Sequence, residues 1–150
     1  MHVASEQLSV RTRGRGFTDL TASLRRFLER ERCGDGLLTC FIRHTSASLL
    51  VQENADPSVR EDLERFLADL VPDGDPRFTH DAEGPDDMPA HVRAALTQTS
   101  VAIPVLQGRL ALGTWQALYL HEHRHAPHER TVVLQFLGTS AASEYSRPPP

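Results

Sequence analysis

Cysteine is scarce in this chain, positive charge is not in excess, and long apolar runs are absent. The two cysteines, Cys33 and Cys40, lie seven positions apart. That spacing matches no common zinc or redox pair, and a domain of this length needs no disulfide staple, so both fit a reducing cytoplasm. Sixteen basic residues against 20 acidic ones give a formal net charge of −4. Such a balance lacks the broad positive field that nucleic acids or anionic membranes require, and neither is an expected partner. No stretch approaches the roughly 18 apolar residues of a membrane span, and the N-terminal MHVASEQLSVRTRGRG lacks the apolar centre of a signal peptide. A soluble, cytoplasmic protein is expected. There is also no internal repeat, no glycine-rich phosphate loop and no serine nucleophile elbow.

What is present fits one domain: a chain of 150 residues can bury roughly two-thirds of its unfolded surface. VASEQLSVRT (3–12) alternates loosely and predicts a strand, which GRG ends. FTDLTASLRRFLER (17–30) predicts a helix with Thr18 as N-cap and Leu20, Leu24, Phe27 and Leu28 on one stripe. LLTCFIR (37–43) and SLLVQE (48–53) predict strands on either side of a polar step, HTSA. NADPSVREDLERFLADLVP predicts a helix capped by Asp56, with Pro57 at its first position and Val59, Leu63, Phe66, Leu67 and Leu70 on its core face. Residues 71–87, rich in proline, glycine and aspartate, form a long loop before a helix in MPAHVRAALT. SVAIPV (100–105), QGRLALGTWQALYLHEHR (107–124, straight or bent at Gly113) and RTVVLQFLG (130–138) predict strands, with HAPHE as a hairpin turn. The tail TSAASEYSRPPP (139–150) predicts disorder. The order of elements has few βαβ units and indicates an α+β fold with a mainly antiparallel sheet.

Polar chemistry collects in three places, each with two readings. RHTSAS is either a hydroxyl-stabilised turn or a ligand-binding bend. In THDAEGPDDMPAH, His80 and His91 flank Asp81, Glu83, Asp86 and Asp87, a donor set suited to zinc or a similar ion. The plainer reading makes Asp86 or Asp87 an N-cap beside the helix dipole, which leaves His80 unexplained. In GTWQALYLHEHRHAPHER, four histidines (His121, His123, His125, His128) crowd into eight residues. His121 and His125 fit an exposed hairpin end. Glu122 and Arg124 cannot be buried unpaired, and must meet one another, a metal or an ionic ligand.

HTSASLLVQENADPSVREDLERFL, HDAEGPDDMPAHVRAAL, GRLALGTWQALYLHEHR and HERTVVLQFLG together resemble the YjbQ family, whose members are often labelled secondary thiamine-phosphate synthase enzymes. The likeness spans roughly residues 5–138, so a YjbQ-like domain over 1–138 is expected. It implies an α+β, single-domain β-sandwich of mainly antiparallel strands with packed helices, assembled as a homotrimer. It also implies a divalent metal such as zinc, and a small phosphorylated metabolite as ligand. The family pattern matches at His44, Thr45, Ser46, Asn54, His80, Asp86, Asp87, His91, Gly113, Trp115, Gln116, Glu122, His123, Arg124 and His128, and departs from it at Ala117, where a glycine is usual.

From this resemblance the expected metal ligands are His80, His91 and His123. His44, Glu122 and His128 are the expected catalytic groups, and Thr45, Ser46, Asn54, Trp115, Gln116 and Arg124 the expected substrate-binding ones, with Arg124 and the hydroxyls on an anion. The implied activity joins hydroxymethylpyrimidine diphosphate to thiazole phosphate with release of pyrophosphate. The same residues would also suit a metal-assisted hydrolase of a small phosphorylated or amide compound, or a non-catalytic trimeric metabolite-binding module.

Overall fold

The computed structural model describes residues 1–142. Eleven elements follow in order: β1 (His2–Arg11), β2 (Gly16–Asp19), α1 (Thr21–Arg30), β3 (Cys33–Ile42), β4 (Ala47–Glu53), α2 (Pro57–Leu70), α3 (Asp87–Leu96), β5 (Ser100–Leu106), β6 (Arg109–Leu110), β7 (Gln116–Glu122) and β8 (Glu129–Ser140). They build two sheets, β1-β8-β3-β5-β6 and β2-β7-β4. Every strand pairing is antiparallel, so the α+β expectation holds. Thr139 and Ser140, read above as the start of the tail, belong to β8, and the tail from residue 143 lies outside the described residues.

Alternation along the strands selects the core. Leu38, Cys40 and Ile42 of β3, Ile103 and Val105 of β5, and Val132, Leu134 and Phe136 of β8 meet Ala47, Leu49, Leu118 and Leu120 of the smaller sheet. Leu24, Phe27 and Leu28 of α1 join the same cluster. Burying a side chain of this kind is worth about 1.5–3 kcal/mol, so α1 is anchored hydrophobically. Both cysteine thiols are free, and burial pushes that of Cys40 up to about 12.

Four expectations change. Residues 17–19 are not the start of a helix but strand β2, whose Thr18 pairs with Leu120. The helix begins at Thr21, whose amide donates to Asp19 Oδ1 at 2.8 Å, because an edge position beside β7 satisfies this backbone better than a frayed first turn. The segment 107–124 is two strands. Gln107 and Gly108, with φ of 51° and 74°, form a two-residue turn of the type that suits tight hairpins, and β6 is brief.

HAPHE is not a hairpin turn either, because β7 pairs with β2 and β4 while β8 pairs with β1 and β3. The segment carries the chain from one sheet to the other. Finally, α2 starts as expected, with Asp56 Oδ1 accepting the Ser58 amide at 2.9 Å, but none of its residues is buried. Its inner side rests on the small sheet through polar contacts: Arg60 donates to the Tyr119 hydroxyl at 3.1 Å and Glu64 meets His121 at 2.7 Å. Residues Phe66 and Leu70 are exposed.

The crossing from β7 to β8 is locked by a buried ion pair. Arg130 Nε donates to Glu122 Oε2 at 2.7 Å, a second guanidinium nitrogen reaches Oε1, and Thr12 Oγ1 donates to Oε2 at 2.9 Å. Burial works to raise the Glu122 carboxyl, yet the Arg130, Arg124-amide and Thr12 donors hold it below its ordinary value. The required partner of Glu122 is therefore Arg130, eight residues on, and not Arg124. Removing one member strands the other as a buried charge. Glu122→Gln or Arg130→Met should each lose about 3–5 kcal/mol in urea unfolding, with the double variant recovering part of the loss. Additive losses would show that the pair is not coupled.

Candidate metal centre

Helix α3 and the loop before it bring His80, Asp87 and His91 together, with one ligand atom from each within 4.8 Å of the others. Asp87 and His91 stand four residues apart on one helix face, and Gly84, with φ of 107°, turns the loop that returns His80 to Asp87. His80 Nε2 lies 2.8 Å from Asp87 Oδ2. The Nδ1 atom of His91 lies 2.8 Å from the Thr45 carbonyl oxygen, which can only accept, so Nδ1 carries the proton. The other nitrogen, Nε2, faces Asp87 Oδ1 at 3.4 Å, a contact made favourable by either a proton on Nε2 or a cation held between the two atoms. A histidine whose second nitrogen donates to a backbone carbonyl is also the usual arrangement of a metal ligand.

Asp86 and Asp87 make no capping hydrogen bond to α3. Both are spent on the segment that crosses between the sheets. Arg124 donates through Nε to Asp86 Oδ2 at 3.1 Å, through Nη1 to Asp87 Oδ1 at 2.8 Å and through Nη2 to the Glu83 carbonyl at 2.9 Å. The Asp86 carboxylate also accepts the His125 amide at 2.9 Å. Burial tends to raise the Asp86 carboxyl, but these donors keep it below its ordinary value. Arg124 thus positions the carboxylate of Asp87 and has no free edge for an anion.

The other expected residues fall at three distances from this group. Thr45 touches it through its carbonyl. His44 is next along the chain, but its Nε2 accepts the Thr131 amide at 2.8 Å and its Nδ1 lies 3.4 Å from Arg130; burial and Arg130 both lower its pKa. The Ser46 hydroxyl accepts from Arg130 at 3.0 Å, and Glu122 is enclosed in the same ion pair. His128 Nδ1 donates to the Ala126 carbonyl at 2.8 Å. Asn54, Trp115 and Gln116 are not brought here. Glu53 pairs with Gln116 and Ala47 with Glu122, which puts them at the far end of the small sheet, about 20 Å away along the strands.

His123 also lies outside the group. It is fully buried, with Nε2 2.8 Å from Ser48 Oγ, and burial, with His121 and Arg93 nearby, pushes its pKa down to about 2. His121 is no exposed hairpin residue: it is buried against Phe17, ring centroids 4.0 Å apart, and bonded to Glu64. His125, by contrast, is exposed, with Nε2 2.8 Å from Asp73 Oδ2.

Two cavities flank the centre. One, of about 410 Å³, lies between the loop and α3 and is lined by His80, Asp75, Asp81, Phe78 and Met88. The other, of about 480 Å³, is lined by His91, His44, Thr45, Arg43, Phe41 and Ala95. Sequence reasoning counted Asp87 in the donor set but left it out of the three expected ligands, although its i, i+4 relation to His91 was available.

The chain belongs to the family described as "UPF0047 protein YjbQ-like", whose sequence model matches residues 6–139. UPF0047 protein sll1880 of Synechocystis is 48% identical over 133 residues, covering 89% of this chain and 90% of that protein. YjbQ of Escherichia coli O157:H7 is 41% identical over 132 residues, covering 87% and 95%. Among solved structures, an uncharacterised YjbQ/UPF0047-family protein of Clostridium acetobutylicum superposes with a TM-score of 0.81 at 31% identity, covering 88% of this chain and 99% of that one. The conserved hypothetical protein TT1486 of Thermus thermophilus gives 0.79 at 36% identity, again covering 88% and 99%. Among the described residues no helix is long and apolar enough to cross a membrane.

The buried imidazole of His123 has a measurable consequence. In the unfolded chain it takes a proton near pH 6.5, whereas in the fold it stays neutral down to about pH 2. Between those values the unfolded state binds more protons, so stability falls as pH is lowered through that window. His123→Asn should flatten the dependence measured by urea unfolding between pH 6.5 and 5, by up to ~1.4 kcal/mol per pH unit. An unchanged slope would assign the titration to another group.

Proposed function

We propose that His80, Asp87 and His91 hold a divalent metal, zinc being the best match to two imidazoles and a carboxylate, and that the centre acts on a small phosphorylated metabolite. The observation that carries this is the convergence of one donor atom each from His80, Asp87 and His91 within 4.8 Å, with the far nitrogen of His91 held by the Thr45 carbonyl. Three protein ligands leave a coordination position open, the pattern of a catalytic rather than a structural site. When bound, the ion would supply charge stabilisation for phosphate oxygens.

The reaction class favoured is thiamine-phosphate synthase-like coupling, in line with the family resemblance. The bond between the pyrimidine methylene carbon and the diphosphate oxygen breaks, its electron pair leaves with pyrophosphate, and the thiazole nitrogen forms the new carbon–nitrogen bond. Such a step needs positioning and charge neutralisation but no protein nucleophile. In it Arg124 keeps the Asp87 carboxylate oriented, and the Thr45 carbonyl keeps His91 in one tautomer. Metal-assisted hydrolysis of a phosphorylated compound is the second reading, favoured by the same open position, with a bound water in place of the thiazole.

Calorimetric titration of metal-stripped protein with Zn²⁺ should give one site per chain. His91→Ala and Asp87→Asn should each weaken it at least about tenfold, while His123→Asn leaves it unchanged. Pyrophosphate release from the pyrimidine and thiazole substrates should vanish in His91→Ala while the fold persists. Absence of saturable Zn²⁺ binding by the unaltered protein would refute the metal reading. Hydrolysis without coupling would select the second.

A further inference from the structure

The expected anion ligand, Arg124, is fully engaged by Asp86, Asp87 and the Glu83 carbonyl. Arg15 is held by Asp73 and the His123 carbonyl, and Arg130 by Glu122 and Ser46. Arg93 is buried, with Val71, Glu64 and Asp73 around it. Arg43 differs. It is exposed, makes a single side-chain contact, 3.5 Å to Gln7 Oε1, and has no ion pair among the described residues. It lines the cavity of about 480 Å³ that His91 also lines.

The rest of that cavity has a definite chemistry. Phe41, on the outer side of β3, is 46% exposed, and with Ala94 and Ala95 it gives the cavity an apolar lining. Ala94 and Ala95 follow His91 by three and four residues on α3, so they continue its helix face. Thr45 and Thr99 supply hydroxyls at the rim. The cavity on the His80 side is different: its walls carry Asp75 and Asp81, and the donors from Arg77 hold Asp75 ionised, its pKa lowered to about 2. Asp75 is compensated by its pair with Arg77, but Asp81 has no ion pair among the described residues and disfavours an anionic guest there. The His91 side is therefore the one that suits an organic anion.

We propose that Arg43 is the anion-binding residue of this centre, and that the cavity over Phe41, Ala94 and Ala95 takes the flat apolar body of an aromatic or heteroaromatic phosphate. This rests on the metal reading of His80, Asp87 and His91. Phosphate oxygens would be shared between the Arg43 guanidinium and the ion, and the ring would lie on Phe41. Arg43 is a specificity residue here, since it touches the substrate and not the metal ligands.

The probes are phenyl phosphate and methyl phosphate, which share a head group and differ in the ring, titrated into Zn²⁺-loaded full-length protein with Zn²⁺ affinity measured separately for every variant. Phenyl phosphate should bind at least about tenfold more tightly than methyl phosphate. Arg43→Gln should weaken both by roughly ten- to a hundredfold, the worth of a hydrogen bond to a charged group, with Zn²⁺ affinity unchanged. Phe41→Ala should remove most of the preference for the phenyl ring. Both positions are on the surface, so folding, checked by circular dichroism, should be retained. Intact Zn²⁺ binding with equal phenyl phosphate affinity in Arg43→Gln overturns this proposal and leaves the metal reading standing. No Zn²⁺ binding in the unaltered protein overturns the metal reading. In that case Arg43-dependent binding of phenyl phosphate to metal-free protein would still support the anion site, and its absence would sink both.

Discussion

Glu122 and Arg130 join the two sheets where the chain passes from one to the other, and the arrangement of the polar end of the molecule follows from that contact. Glu122 ends β7 and Arg130 stands at the second position of β8, so their ion pair holds the seven intervening residues to a short crossing. Glu122 also accepts the Arg124 amide at 3.1 Å, which sets the direction from which the Arg124 side chain leaves. Arg130 in turn binds Ser46 and approaches His44, tying down the turn between β3 and β4. A buried charge pair gains little net stability over an apolar one. Its contribution here is to fix one geometry.

That geometry places Arg124 over the start of α3, and the carboxylates at the helix mouth serve it in preference to the helix. Asp87 sits at the centre of three demands, from Arg124, His80 and His91. A guanidinium holds the carboxylate in one orientation, a general requirement for a precise site. His91 is fixed twice, by its place one turn inside a helix and by the Thr45 carbonyl. The proposed ligands therefore come from one helix and its leading loop, while the groups that orient them come from the crossing segment and the β3–β4 turn.

Elements whose register rests on a single buried face were legible in the sequence. The stripe of α1, the Asp56-Pro57 start of α2 and the alternation of β5 and β8 needed no partner to be recognised. Elements defined by pairing were not: residues 17–19 read as the start of a helical segment, and only β7 beside them makes them part of a strand. The apolar face assigned to α2 was misleading for a related reason. Periodicity reports which residues could be buried, and here Arg60 and Glu64 meet the sheet while Phe66 and Leu70 do not. In the candidate site, the THDAEGPDDMPAH segment already contained His80, Asp87 and His91. The choice of Asp87 over His123 required knowing that His123 points into the small sheet toward Ser48.

By itself the sequence determined the family, the α+β class, and the segment that carries the His80, Asp87 and His91 group, because these depend on residue types and on spacings within one element. The tertiary structure decided which charges meet. Glu122 finds Arg130 and not Arg124, Arg124 finds Asp86 and Asp87, and among the described residues Arg43 is left without an ionic partner. Ion pairing is selected by proximity across sheets and loops, where distances of a few ångströms outweigh any order along the chain, and that proximity exists only once the two sheets have closed on their common core.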